Sequence, residues 1–205
     1  MAIRIEDLRT DRIILREFRE SDIWAGSDAQ QLAVIAQHPK FQGFFAFPLK
    51  GSPAKEFRKA TRALVAKWVK LSRPDEKTHE RENYKLAITL PSDPEKIIGY
   101  IALDEINEAR GKYRDIGYFI HPDFQSKGYA TEASRIVLKA FFGNTKYDNI
   151  YITYHPANIG SKRVVEKLGY QKLPGEYSLT ANGKKEPREK YILTRKNFYA
   201  KLIPV

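Results

Sequence analysis

The stretch Arg114–Phe142, RDIGYFIHPDFQSKGYATEASRIVLKAFF, limits what this chain can fold into more than any other. Ile116–Ile120 is a short apolar and aromatic run closed by Pro122, and proline cannot extend a ladder, so a strand ends there. Polar residues and Gly128 follow, and then Ala133, Ile136, Val137, Ala140 and Phe141 recur at the spacing of one helix face. Gly143, after the last periodic residue, suits a left-handed C-terminal cap. The joint QSKGYA is therefore a tight connection between a strand and a helix N-terminus, where unpaired N–H groups and the positive end of the helix dipole favour an anion. Gly128 and Ala130 are small enough for a phosphate to approach the main chain, and Lys127 adds a full charge. An ordinary strand–turn–helix joint would carry the same residues.

Read with its flanks, IGYFIHPDFQSKGYATEA closely resembles the acyl-CoA-binding motif of the GNAT superfamily of N-acetyltransferases, Q/R-x-x-G-x-G/A after a strand, with Gln125, Gly128 and Ala130 in the three positions. PANIGSKRVVEKLGY (Pro156–Tyr170) resembles the next motif of that family, and its Asn158, Ser161 and LGY ending are most similar to the Rim-type acetyltransferases of ribosomal-protein N-termini. LRTDRIILREF (Leu8–Phe18) is similar to Rim-type chains as well, so the resemblance spans nearly the whole sequence. It implies an α+β fold: a single GNAT-type domain over residues 1–205 with a mixed central sheet of about six to seven strands, splayed at the middle pair and flanked by helices.

The bounds agree with that expectation. A chain of 205 residues can bury a core without staples. It has no cysteine, which excludes disulfides, thiolate metal sites and an enzyme thioester, so acyl transfer would run directly from donor to acceptor. The start MAIRIEDLRTDR is too charged for a signal peptide and no apolar run approaches membrane-spanning length, so a cytoplasmic protein without membrane contact is expected. His38, His79, His121 and His155 have no ligand spacing, and no metal is expected. The net charge of +11 attracts polyanions, whether nucleic acid, an acidic protein surface or a phosphorylated cosubstrate.

In chain order, Ile13–Phe18 reads as a first strand and SDIWAGSDAQQLAVIAQ as a helix capped by Ser21 or Asp22. His38–Pro53 is loop-like and carries Phe41, Phe44, Phe45 and Phe47, which would wall a substrate, make an oligomer contact or plug the core. Ala54–Leu71 predicts a helix with Phe57, Thr61, Leu64, Trp68 and Leu71 inward and Lys55, Arg58, Lys59, Arg62, Lys67 and Lys70 around them. YKLAITL, PSDPEK and IIGYIALDEI form a hairpin, and a turn at Glu108–Lys112 leads to the central strand. Asp148–Pro156 is a further strand, and a helix capped by Asn158 buries Val164, Val165 and Leu168 and stops at Gly169. Two closing strands surround the turn former Asn182-Gly183.

The resemblance also implies chemistry. Acetyl-CoA would be the cosubstrate, its pantetheine between two parted strands, with the N–H of Phe119 near the thioester carbonyl and Ile120 beside it. The N–H groups of Gln125, Ser126, Lys127, Gly128, Tyr129, Ala130 and Thr131 would hold the pyrophosphate, and Asn158 would touch pantetheine or simply cap its helix. Asp115 occupies the position where many superfamily members carry a catalytic glutamate and would act through water, or else is a solvated acid beside Arg114. Glu105 and His155 are rival bases, histidine being the residue type that titrates nearest neutrality. Val164 stands where many members carry an acidic tyrosine. Ser161 matches the serine assigned to thiolate protonation in Rim-type enzymes, and as the third residue of its helix it lies in the positive field of the N-terminus.

Two function classes follow. One is an acetyl-CoA-dependent N-acetyltransferase, monomer or homodimer, acting on a protein N-terminus or a small amine. The other is a basic nucleic-acid- or ribosome-binding protein that keeps the fold without turnover. The basic helix at 54–71 would face an acidic acceptor, a ribosome surface or solvent, and the net charge disfavours polyamine and aminoglycoside acceptors.

Overall fold

The computed structural model describes residues 5–39, 53–77, 81, 83–108, 111–181 and 184–202. Its strands are β1 (Ile14–Glu17), β2 (Tyr84–Leu90), β3 (Asp93–Glu108), β4 (Gly111–Ile120), β5 (Asn149–Tyr154), β6 (Gln171–Lys172), β7 (Tyr177–Ala181) and β8 (Lys184–Thr194). Its helices are α1 (Asp28–Gln37), α2 (Ala54–Leu71), α3 (Tyr129–Asn144), α4 (Ile159–Leu168) and α5 (Arg195–Leu202). The strands join in the order β1-β2-β3-β4-β5-β8-β6, with β7 also on β8, giving eight strands where the sequence suggested six to seven. Among the described strands only the β4–β5 pair is parallel. That is the helix-connected pair, since a parallel return requires a crossover and α3 supplies it.

Period-two alternation divides the apolar residues between two faces of this sheet. Leu86, Ile101, Leu103, Ile116, Ile120, Ile150, Ile152 and Leu193 pack with Val137, Phe141 and Phe142 of α3 and Val164, Val165 and Leu168 of α4. On the opposite face Ala87, Tyr100, Ala102 and Phe119 meet Leu32 and Ile35 of α1 and Phe57, Val65 and Trp68 of α2. Trp68, Tyr100 and Phe119 form a continuous stack, with ring centroids 4.6 and 5.2 Å apart.

Several local expectations are corrected. Helix α1 starts later than Ser21 or Asp22 would set it, because Ser27 accepts the N–H of Gln30 and so caps it. In α2 the buried stripe is Phe57, Thr61, Val65 and Trp68, while Leu71 is exposed at the last turn. Gly143 lies inside α3 rather than capping it. In its last turn the N–H of Thr145 donates to Phe141 O at 3.0 Å and Arg195 to Phe142 O, and the same guanidinium donates beyond the helix to Thr145 O at 2.6 Å and to Tyr147 O at 2.8 Å. Helix α5, where Arg195 begins, has no counterpart in the expectations from sequence. The aromatic loop residues Phe41, Phe44, Phe45 and Phe47, and the turn Asn182-Gly183, lie outside the described residues.

One ion pair ties the long β3–β4 hairpin to α3. Glu105 and Arg114 are cross-strand partners, both about nine-tenths buried, with Nη2 to Oε2 at 3.1 Å; Lys112 Nζ reaches the other carboxylate oxygen at 2.7 Å. The guanidinium lies 4.9 Å from the ring centre of Tyr147 and 5.7 Å from that of Phe141. The Lys112 hydrogen bond, opposed by burial and reinforced by the charge of Arg114, holds the Glu105 carboxyl below its ordinary range. Its stabilisation is therefore in place above that range and is lost as pH falls through the depressed folded value. Glu105→Gln should cost about 3–5 kcal/mol in urea unfolding near neutral pH, because Arg114 keeps its burial and loses its counter-charge. The gap between variant and wild type should narrow on acidification.

Candidate active site

The sheet opens at its parallel pair. β4 and β5 share one register position, Asp115 with Tyr151, although β4 runs on to Ile120 and β5 to Tyr154. Beyond that point each strand keeps only its outer partner, β3 for β4 and β8 for β5. The β3–β4 register is unbroken from Gly99–Ile120 to Glu108–Gly111 and continues with the N–H of His121 donating to Ile98 O at 2.8 Å. Antiparallel alternation then turns the main-chain groups of Phe119 toward Tyr100 on β3, and those of Tyr118 and Ile120 toward the gap. The Phe119 N–H, expected from the sequence to lie near the thioester carbonyl, is thus turned to β3, and the N–H on the gap side is that of Tyr118.

The gap leads to the predicted phosphate loop. Gln125 Nε2 donates to Ile120 O at 3.0 Å and fixes the end of β4. Ser126 has φ +61° and Gly128 φ +86°, left-handed conformations on either side of Lys127. At Gly128 a Cβ would meet nothing within 4 Å, so the glycine is required by its backbone angle and not by crowding. Among the described residues, the N–H groups of Ser126–Thr131 meet no acceptor. They sit at the first turn of α3, where an anion is favoured. The N-terminal segment braces this loop: Arg12 donates to Lys127 O at 2.7 Å and pairs with Glu132 at 3.2 Å, and Thr10 donates to Glu132 at 2.6 Å. Beside it runs a groove of about 990 Å³ with Arg9, Arg12, Arg135, Lys139 and Lys167 on its walls.

Helix α4 points its N-terminus at the other side of the gap. Asn158 caps it, accepting the N–H of Ser161 at 3.0 Å, and Gly169 ends it at φ +84°. Tyr118, from β4, turns its buried hydroxyl toward Ser161 without closing a hydrogen bond. Burial, only partly offset by Ser161, pushes that phenol above its ordinary range, so it stays protonated. The hydroxyls of Tyr154 and Tyr170 are likewise buried with no partner among the described residues.

On the α1–α2 face the predicted acid Asp115 stands between Tyr151 of β5 and Asp104 of β3. Asp104 is paired with Lys85, whose ammonium also reaches Tyr100 Oη at 3.4 Å, and its other carboxylate oxygen is buried without a partner. Two residues along β4, Gly117 leaves this face open, since a Cβ there would meet nothing within 4 Å. His155, just after β5, is held by Glu186 at 3.6 Å and accepts the N–H of Ala157 at 3.1 Å. Glu105, the remaining rival base, projects from the opposite face of β3 into its ion pair and is not at the gap. Sequence reasoning missed Tyr118, Asp104 and Lys85, because their positions follow from pairing across strands.

Among the described residues, no group of three His, Asp or Glu side chains is placed to hold a metal ion, and no helix is long and apolar enough to cross a membrane.

A sheet that parts beside a glycine-bearing anion loop is the architecture of an acyl-CoA transferase, and the family model described as Acetyltransferase (GNAT) domain matches residues 12–171. The chain belongs to this family. It is 35% identical over 97 residues to the Probable N-acetyltransferase YjcK of Bacillus subtilis, a match covering 47% of this chain and 53% of that protein; the chain thus spans about half the length of this curated relative. Among solved structures it resembles a GNAT-family acetyltransferase from Bacillus anthracis, with 21% identity, a TM-score of 0.66 and coverage of 96% and 99% of the two chains. It also resembles Mycobacterium smegmatis RimJ in complex with CoA-disulfide, with 17% identity, a TM-score of 0.66 and coverage of 93% and 87%. At these identities the likeness to solved structures is one of fold.

Proposed function

We propose that this protein transfers an acetyl group from acetyl-CoA directly to an amine. The observation that carries the reading is the parting of β4 from β5 above six acceptor-less N–H groups at Ser126–Thr131. The gap-facing main-chain groups of Tyr118 and Ile120 would pair with the pantetheine amides, as a missing strand would. The loop and Lys127 would take the pyrophosphate, and the basic groove along α3 the nucleotide end. A non-enzymatic nucleic-acid-binding protein is the less favoured reading, since it has no use for the parted strands.

In the reaction the neutral amine attacks the thioester carbonyl, forming a C–N bond. The oxyanion faces the Tyr118 N–H. Collapse breaks the C–S bond, and the thiolate leaves toward the N-terminus of α4, where Ser161 and the dipole stabilise it and the serine hydroxyl relays to it a proton that water replaces. Asp115 takes the proton lost by the amine, through water, on the face left open by Gly117. Asp115 is favoured for that step because it borders the gap, whereas the Asp104 carboxylate is tied to Lys85.

The acceptor we favour is a protein N-terminus of the kind Rim-type enzymes modify. The fold shared with RimJ supports this, as does the basic face of α2, where the exposed Arg58 lies 5.4 Å and the half-buried Arg62 5.8 Å over the ring of Trp24. Such a face would steer an acidic ribosomal surface.

Gly128→Asp should abolish measurable acetyl-CoA binding in calorimetry, through like charge and a strained backbone angle. Undiminished affinity would refute the loop assignment. Ser161→Ala should lower kcat about tenfold to a hundredfold with little change in acetyl-CoA affinity, the mark of an interaction made in the transition state. Asp115→Asn should remove the ascending limb of the kcat/KM pH profile; an unchanged profile would leave proton removal to bulk water.

A further inference from the structure

An ammonium group stands in an aromatic cage on the acceptor face. Lys190 of β8 places Nζ 4.2 Å from the ring centre of Tyr113, 5.2 Å from that of Tyr151 and 5.7 Å from that of Tyr177. The three rings come from β4, β5 and β7, and Tyr113 meets Tyr151 edge to face at 5.1 Å. Register explains the convergence. Lys190 pairs with Thr153, two residues beyond Tyr151, and Tyr151 pairs with Asp115, two residues beyond Tyr113. All therefore project from the same side of the sheet as the opening over Gly117.

The cage fixes the charge without neutralising it. Ring faces attract a cation through their quadrupoles but accept no strong hydrogen bond from it. Among the described residues, Lys190 Nζ has no carboxylate or carbonyl partner, whereas Lys85 on the same face is paired with Asp104, and His155, when protonated, with Glu186. A half-buried, immobilised ammonium with unspent N–H groups is prepared for an anion, because the entropy of ordering the side chain has already been lost in folding.

We infer that Lys190 selects acceptors whose amine lies a few bonds from a carboxylate or phosphate. The inference rests on the transferase reading and narrows its substrate class. The amine enters over Gly117 beside Asp115, and the anionic group reaches across Tyr151 to the caged ammonium. A free amino acid offers this arrangement, and so does a peptide whose second residue is acidic. The same charge opposes polyamines, which present a second ammonium where the anion belongs.

The test is a set of initial rates, read by thiol release, with two matched pairs: an amino acid against its amide, and a dipeptide amide with aspartate second against its asparagine counterpart. Wild type should favour the anionic member of at least one pair in kcat/KM by about tenfold or more, and the pair that shows the preference identifies the source of the anion. Lys190→Met, which still fills the cage, should bring that ratio to about one, and Lys190→Arg should restore most of it. Acetyl-CoA affinity in calorimetry reports that each variant is folded. A wild-type ratio near one in both pairs, or a ratio that survives in Lys190→Met, would overturn the assignment to Lys190 and leave the transferase reading standing. No thiol release by wild type with any of the four amines, or with a wider panel of peptide N-termini, would overturn both.

Discussion

The site depends on a ladder that stops. Parallel strands β4 and β5 meet at a single register position and then part, leaving the inward main-chain groups of Tyr118 and Ile120 without a strand to pair with. Unpaired buried main-chain groups are costly, and a sheet would normally close over them. Here closure is prevented from both sides. β4 is held to β3 by a ten-position register with no bulge, and β5 to β8 by six positions, so each strand follows its outer neighbour. Helices α3 and α4 wedge the gap from one face through Val137, Phe141, Val164 and Leu168. The opening is thus maintained by packing elsewhere, and a ligand with amide groups would satisfy it.

Around that opening, similar side chains have been given different tasks by their neighbours. Three acids lie on β3 and β4. Glu105 is held ionised by Lys112 and Arg114 on the α3 face and serves the fold. Asp104 is tied to Lys85 under the Trp68–Tyr100–Phe119 stack. Asp115 borders the gap itself. The cations divide in the same manner. Arg12 and Arg195 spend their donors on the carbonyls of Lys127 and of the chain just past α3, while Lys190 is placed by aromatic rings and keeps its donors. The net charge of +11 predicts none of these assignments, because net charge is a sum and each assignment is a contact.

What the sequence determined by itself was local. Pro122 ends the run before it, Gly128 takes a positive φ that other residues resist, Asn158 and Gly169 bound a helix, and alternation within 84–90 makes a strand; each is a matter of a few adjacent backbone angles. The family motifs drew on the same short-range requirements, so the left-handed turn at Gly128 and the capped helix of Ser161 are legible from neighbouring residues alone. Pairing between distant residues is not. Whether the N–H of Phe119 or of Tyr118 faces the gap depends on a register fixed across the β3–β4 hairpin, and a shift of one residue would exchange them. Gly143 looked like a stop, but α3 continues to Asn144, and Arg195, fifty residues from Thr145 in sequence, fixes the chain just beyond it. Lys190 has the same chemistry as the chain's other lysines until β4, β5 and β7 bring three tyrosines around it. Short-range sterics are written in the order of residues, whereas the field around a charge is set by whatever the sheet places beside it, and only the tertiary structure decides that.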